Sequence, residues 1–145
     1  MMLLLSCNSK SDLEKERKTI LGMLDTERKA HFDRNVSLFM SEFADSMISV
    51  NKGVVSVPTK EQHKQKIGNY FGSVQFIKWD NSTEPIIRFS DDGSLAYAVI
   101  QKDVIVTYPD STGKALYDTT HYAWASIYRK YRGEWKIECN ISTNK

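Results

Sequence analysis

The residues of this chain best suited to proton transfer are Glu27 and His31, which stand four positions apart. On a helix that spacing places both side chains on one face, within reach of each other. His31 also falls on the apolar stripe formed by Leu13, Ile20 and Leu24, so the pair is predicted to face the protein interior. There His31 can serve as a general base or acid while Glu27 fixes its tautomer. The alternative is a structural histidine, either hydrogen-bonded in the core or ion-paired near the helix end.

A second group of candidate residues is aromatic. His63 and Tyr70 lie on the apolar stripe of the next long helix, and Tyr122 and Trp124 alternate along a later strand. Aromatic side chains offer large flat apolar surfaces with a polar tip, which suits a small apolar or aromatic ligand. These four residues are therefore predicted to line a ligand-binding cavity. The alternative is that they are simply part of the hydrophobic core.

Composition excludes several classes of function. The 145 residues carry a net charge of +2, with lysines and arginines interleaved among acidic residues, so no basic stripe for nucleic acid is present. The three histidines show no metal-ligand spacing, and neither a glycine-rich phosphate loop nor a nucleophile elbow occurs. We therefore expect no nucleic-acid partner, no metal and no cofactor.

The elements that must position these residues can be predicted from periodicity and turn chemistry. Asn51-Lys52-Gly53 is typical of a hairpin turn, and Thr59 with Gln62 forms a capping pair at a helix start. Helices are predicted over residues 13–33, 36–43 and 59–71, and strands over 45–50, 54–57, 74–79, 86–89, 95–108, 115–131 and 134–143. Helices followed by a long antiparallel meander predict an α+β domain.

Two segments resemble a known superfamily. Residues 43–50, Phe-Ala-Asp-Ser-Met-Ile-Ser-Val, and the terminal hairpin at 127–137 resemble the nuclear-transport-factor-2-like superfamily, which includes ketosteroid isomerases and SnoaL-like polyketide cyclases. The resemblance spans residues 13–143. It implies a cystatin-like cone, in which a curved antiparallel sheet wraps round the N-terminal helix, and a single domain over residues 11–145.

The resemblance implies two kinds of function. The first is a small-molecule-binding or assembly module whose ligand is small and apolar or aromatic. The alternative is a cofactor-free isomerase, cyclase or dehydratase that acts on a small apolar carbonyl compound through His31 and Glu27.

The turn at Arg132-Gly133 predicts the register of the last two strands, with Tyr131 opposite Glu134 and Ser126 opposite Cys139. Because strand side chains alternate, this register sorts them into two faces. The concave face is predicted to carry Ala98, Ile100, Val104, Tyr122, Trp124, Tyr128, Trp135, Ile137, Cys139 and Ile141. The convex face is predicted to carry Tyr97, Val99, Gln101, Asp103, Thr119, His121, Ala123, Ala125, Ile127, Asn140 and Ser142. The resemblance implies a homodimer through this convex face, and a bulge would exchange the two faces.

The first residues suggest a membrane tether. Leu4-Leu5-Ser6-Cys7 resembles a bacterial lipobox, which implies lipidation of Cys7 and treats residues 1–10 as the remnant of a signal and a tether. The predicted location is the bacterial cell envelope, with membrane contact only through this lipid anchor. The alternative is an unprocessed N-terminal tail on a cytoplasmic protein.

Overall fold

The computed structural model describes residues 10–145; Cys7 and its predicted lipidation lie outside the described residues. The elements follow the predicted order closely. They are α1 (Lys10–Phe32), α2 (Val36–Ser41), β1 (Phe43–Asn51), β2 (Val54–Ser56), α3 (Lys60–Ser73), β3 (Gln75–Asn81), β4 (Ile86–Phe89), β5 (Leu95–Pro109), β6 (Ala115–Tyr131) and β7 (Glu134–Asn144). The prediction of an α+β domain is confirmed.

Local chemistry explains where the elements begin and turn. Asn35 caps α2 by accepting a hydrogen bond from the Leu38 amide at 2.9 Å, and Thr59 with Gln62 forms the predicted capping box of α3. At both two-residue hairpins a non-glycine residue with positive φ precedes a glycine, which is the backbone of a type I′ turn. The second of these turns, Arg132-Gly133, pairs Tyr131 with Glu134 as predicted.

One curved, unclosed sheet carries the fold. Its strand order is β2-β1-β7-β6-β5-β3, with β4 also paired to β5. Neighbouring strands are antiparallel except for β1 and β7, which run parallel. The helix α1 packs on the concave side, and Glu16 anchors it there by accepting hydrogen bonds from Lys130 at 2.6 Å and from the Trp135 indole at 2.5 Å. Within residues 10–145, no helix has the length and apolarity needed to cross a membrane.

The predicted register fails beyond a β-bulge in β7. Tyr128 pairs with Ile137 but Ile127 pairs with Cys139, so Glu138 is the extra residue. Arg129 hydrogen-bonds both Glu138 carboxylate oxygens, which secures the bulge. The extra residue exchanges the faces of the strand beyond it, because side chains alternate with period two.

Four assignments at the end of β7 are therefore wrong. Ser126 lies opposite Asn140 and not Cys139. The register turns Asn140 and Ser142 to the concave face and Cys139 and Ile141 to the convex face. Ile141 is accordingly 44% exposed, whereas Cys139 is only 8% exposed although it too has convex parity. Upstream of the bulge the predicted concave residues are confirmed, since Trp124, Tyr128, Trp135 and Ile137 are all buried.

Candidate functional site

A buried lysine is the most unusual feature of the concave interior. Lys102 is 3% exposed and lies on β5 at an inward position, directly opposite Tyr122 on β6. Its ammonium nitrogen lies 5.4 Å from the Trp79 ring centroid and 5.8 Å from that of Trp124. Among residues 10–145 no carboxylate forms an ion pair with it. Burial lowers the pKa of Lys102, and the negative charge of Glu27 opposes that shift.

The helix α1 contributes Glu27 to the same interior. Protein surrounds this side chain, yet part of its surface stays accessible, as is typical of a residue that lines a cleft. Burial raises the pKa of Glu27 to about 7, the charge of Lys102 opposes the rise, and Glu42 adds to it. Glu27 and Lys102 are thus coupled electrostatically without being bonded. Both depart from their ordinary pKa values, which is typical of functional sites.

Three of the predicted ligand-binding aromatics converge near this pair. Tyr122 contacts Trp124 edge-on at 6.3 Å, and Trp124 lies 6.1 Å from Trp79. Tyr70 of α3 contacts Phe76 with ring centroids 5.5 Å apart, and burial, to which Tyr122 adds, raises the pKa of its hydroxyl to about 12. We call Glu27, Lys102, Tyr70, Tyr122 and Trp124 the interior site.

His31 lies behind this site and not within it. It is 3% exposed and stacks on Trp79 with ring centroids 3.6 Å apart, while Phe39, Phe71 and Phe76 present their edges to it. Its Nδ1 contacts the backbone carbonyl of Glu27 at 2.7 Å, so at this nitrogen the partner is the backbone of Glu27 and not its carboxylate. Burial lowers the pKa of His31 to about 4, which keeps the imidazole neutral at physiological pH.

Further polar groups extend the interior away from Lys102. The hydroxyl of Tyr128 is fully buried and has no hydrogen-bond partner within the described residues, although Ser126 lies close enough to affect its pKa. Glu42 and Asn140 each have a buried side-chain oxygen with no hydrogen-bond partner among residues 10–145. Burial also raises the pKa of Glu42 to about 7. Unpartnered buried polar atoms are uncommon and mark places where water or a ligand is bound.

His63 occupies a different cavity from the other predicted ligand-binding residues. It presents its ring edge-on to Phe43 at 4.7 Å and lines a cavity of about 420 Å³ between α3 and β1, together with Met47, Ser49 and Ile67. Its Nδ1 is buried without a partner among residues 10–145. Burial lowers the pKa of His63, so this imidazole too favours its neutral form.

Sequence reasoning missed Lys102, although a signal was present. Residues 98, 100 and 104 are apolar at inward positions of β5, and a lysine at position 102 interrupts that run. His121 lies on the convex face as predicted, where it pairs with Asp103 and contacts its carboxylate at 2.8 Å. Within the described residues, no three histidine, cysteine or acidic side chains cluster as metal ligands.

Comparison with known proteins supports the fold. No family model matches the chain, and no curated protein matches it by sequence. Among solved structures, a candidate dehydratase of the NTF2-like family from Streptomyces avermitilis gives a TM-score of 0.70 at 10% identity, over 89% of this chain and 96% of that one. A ketosteroid isomerase-like protein from Erwinia carotovora atroseptica gives a TM-score of 0.68 at 15% identity, over 88% of this chain and 94% of that one. An NTF2-like protein from Cytophaga hutchinsonii gives a TM-score of 0.66 at 18% identity, over 89% of this chain and 98% of that one. The chain therefore has the NTF2-like fold, as the two sequence segments predicted.

Proposed function

We propose that this protein binds a small, flat, largely apolar molecule in the interior site, with a carbonyl or hydroxyl group directed at Glu27 and Lys102. The observation that carries the proposal is a buried lysine that forms no ion pair with any carboxylate of residues 10–145 and that is coupled to a carboxyl whose pKa is about 7. Burying either group without a direct partner destabilises a fold. A ligand that hydrogen-bonds both groups compensates for that cost.

The surroundings restrict the chemistry of this ligand. Tyr70, Tyr122 and Trp124 offer ring surfaces for a flat apolar body. The negative charge of Glu42 acts on Glu27 and adds to the negative potential there, so a phosphate or another strongly anionic group is disfavoured. An uncharged ketone, aldehyde or phenol fits this balance better.

Binding is tested with 2-tetralone, an uncharged ketone with fused rings, in a thermal-shift titration. We expect it to raise the melting temperature of the wild type and of a Lys78→Met control, which alters a lysine ion-paired outside the interior site. The shift should shrink in Trp124→Ala. Equal shifts in all three proteins, or none in any of them, would overturn the proposed site.

Catalysis is the second candidate, and the pKa of Glu27 favours it. A carboxyl with a pKa of about 7 is half ionised at neutral pH, where a general base is most effective. Glu27 can then remove a proton next to a bound carbonyl while the Lys102 ammonium stabilises the enolate oxygen. This supports the cofactor-free isomerase, cyclase or dehydratase alternative, with Lys102 added to Glu27. The role predicted for His31 remains a prediction.

Deuterium exchange separates binding from catalysis. We expect wild-type protein in D₂O to exchange the α-protons of 2-tetralone above the buffer rate, and Glu27→Gln to lose that acceleration while still binding the ketone. A His31→Leu variant that exchanges at the wild-type rate would remove His31 from the mechanism. Binding without accelerated exchange would leave a binding module only.

The homodimer is proposed on the convex face, where two rows of mostly apolar side chains cross the sheet. The rows follow strand pairing, and several members are strongly exposed, including Val99 at 41% and Ile141 at 44%. One row is Val55, Val50, Ile141, Ala125, Val99 and Ile86, and the other is Ile48, Cys139, Ile127 and Tyr97. An exposed apolar patch of this extent is typical of an interaction surface.

Sedimentation velocity tests the dimer. We expect a dimer for the wild type and a monomer for Ile141→Glu, because a charge at the centre of the rows is costly to bury. The matched control is Tyr117→Glu, which alters a 67% exposed residue outside both rows and should remain dimeric. A monomeric wild type would contradict the proposal.

The lipid anchor is proposed on the resemblance at residues 4–7 alone. Labelled palmitate should enter the protein in bacterial cells and should disappear in Cys7→Ser. Labelling that persists in this variant would contradict the assignment, and a soluble unlabelled wild type would favour the cytoplasmic alternative.

A further inference from the structure

The amine of Lys102 differs from an ordinary buried lysine in its partners. A lysine buried in a core is normally paired with a carboxylate, because an isolated charge is costly to desolvate. Here the nitrogen lies over two indole rings, and no carboxylate of residues 10–145 forms an ion pair with it. The two rings stabilise the ammonium form less than burial destabilises it, so a larger fraction of Lys102 is the neutral amine than in an exposed lysine.

Four charged groups act on this amine. Glu27 comes first, followed by Arg28, Asp80 and Asp25, and burial outweighs all of them in lowering the pKa of Lys102. Arg28 and Asp80 neutralise each other in a surface ion pair at 3.2 Å. Glu27 is therefore the group whose protonation state matters most to Lys102.

Lys102 is 3% exposed, but several of its inward-facing neighbours keep accessible surface. Tyr122 lies directly opposite Lys102 in the sheet and is only partly buried, and Tyr70 and Glu27 are partly buried as well. Trp124 lies next to Tyr122 and 5.8 Å from the Lys102 nitrogen. A ligand that stacked on these two rings would place its polar group close to that nitrogen.

We propose that Lys102 is a nucleophile that captures aldehydes and ketones as an imine in the interior site, with Glu27 as the acid and base of the reaction. The proposal rests on the proposed function, since the carbonyl compound is the ligand bound there. It assigns a covalent activity to a residue that otherwise would only donate hydrogen bonds.

The chemistry balances without any further reactant. The lone pair of the neutral amine attacks the carbonyl carbon, and the carbon–oxygen π pair moves to the oxygen. Protonated Glu27 gives its proton to that oxygen, then recovers one from the new N–H group, and a carbinolamine results. A second proton from Glu27 lets the hydroxyl leave as water while the nitrogen lone pair forms the C=N bond of an iminium ion. The iminium then returns its remaining N–H proton to the Glu27 carboxylate, which leaves a neutral imine, one water and protonated Glu27 as at the start.

Glu27 is poised for this exchange of protons. With a pKa of about 7, both its acid and its base form are populated at neutral pH. A lysine with an ordinary pKa of about 10.4 is almost wholly protonated at neutral pH. A pKa lower by one raises its neutral fraction about tenfold. The lowered pKa of Lys102 therefore supports faster reaction than at surface lysines.

Reductive trapping tests the inference. The full-length protein is incubated with 2-tetralone and sodium cyanoborohydride, which converts an imine into a stable secondary amine, and is then digested with trypsin and mapped by mass spectrometry. Because trypsin does not cleave after an alkylated lysine, modification at Lys102 yields a peptide covering residues 89–114. We expect this peptide to be labelled before the half-buried, ion-paired Lys78 and before the lysines at the surface.

Variants and binding data separate the two proposals. Lys102→Met should lose the adduct, while Lys78→Met should keep both the adduct and the thermal shift with 2-tetralone; mapping of the wild type is decisive even if Lys102→Met fails to fold. A thermal shift with no adduct at Lys102, or labelling spread over surface lysines, would overturn the nucleophile but leave the binding site. Neither a shift nor an adduct would overturn both.

Discussion

Replacing Glu27 by glutamine should change how the stability of this protein depends on pH. The pKa of Glu27 is raised in the folded state from its ordinary 4.5 to about 7. Between these values the folded protein binds more protons than the unfolded chain, so stability falls as pH rises. Below pH 4.5 both states are protonated and the effect is absent; above about 7 both are ionised and it is complete.

The magnitude follows from the two pKa values. At about 1.36 kcal/mol for each step of one in pKa, the full destabilisation is about 3 kcal/mol. Glutamine keeps the shape of glutamate and never ionises. The free energy of unfolding of Glu27→Gln, minus that of the wild type, should therefore increase by about 3 kcal/mol between about pH 4 and about pH 8.

Urea denaturation followed by tryptophan fluorescence measures this difference. Trp79 and Trp124 are buried beside the Lys102 side chain, so their fluorescence changes when the interior unfolds. The comparison must be between variant and wild type. The raised pKa of Glu42 and the lowered pKa of His31 also make the wild-type stability depend on pH, in opposite directions. Both groups are present in the variant as well, so subtracting the two curves isolates the contribution of Glu27. A difference that stays constant with pH, or shrinks toward high pH, would refute the placement of this carboxyl in a desolvated interior.

Three further predictions test other parts of the structure. The pKa of His31 is lowered from 6.5 to about 4, so the folded state resists protonation of this ring. As pH falls from about 7 to about 4, the free energy of unfolding of the wild type should therefore fall by about 3 kcal/mol relative to that of His31→Leu. A difference between the two proteins that is the same at pH 7 and pH 4 would contradict this. Thr59→Ala removes the capping hydroxyl that Gln62 complements and should cost about 1 kcal/mol in urea denaturation, so an unchanged midpoint would argue against the cap. Tyr128→Phe removes a buried hydroxyl that has no hydrogen-bond partner among residues 10–145 and should leave stability unchanged or raise it by about 1 kcal/mol, whereas a large loss of stability would reveal a hydrogen bond to bound water.

Much of the fold could be predicted because its signals are local. The capping box at Thr59 and the glycines after Lys52 and Arg132 act over four residues or fewer, and they set helix starts and hairpin turns. The alternation of side chains then assigned both faces correctly from Arg132 back along β6 and β5. Even the resemblance to the NTF2-like fold rests on such segments.

The bulge at Glu138 was beyond that kind of reasoning. Nothing local distinguishes a bulged glutamate from a paired one, since the preference comes from Arg129 on the neighbouring strand. One extra residue was enough to turn Asn140 into the cone and Ile141 out of it. An error in register propagates to every later side chain because the period of a strand is two.

The sequence by itself determined which elements form, where they turn and which strand face is apolar, because these properties depend on neighbours along the chain. Only the tertiary structure decided the site. It placed Lys102 of β5 near Glu27 of α1. It also gave His31 a backbone carbonyl as the partner of its Nδ1 and enclosed its ring among aromatic side chains. Burial and charge at a point in space depend on residues far apart in sequence, and these set the pKa values on which any chemistry here depends.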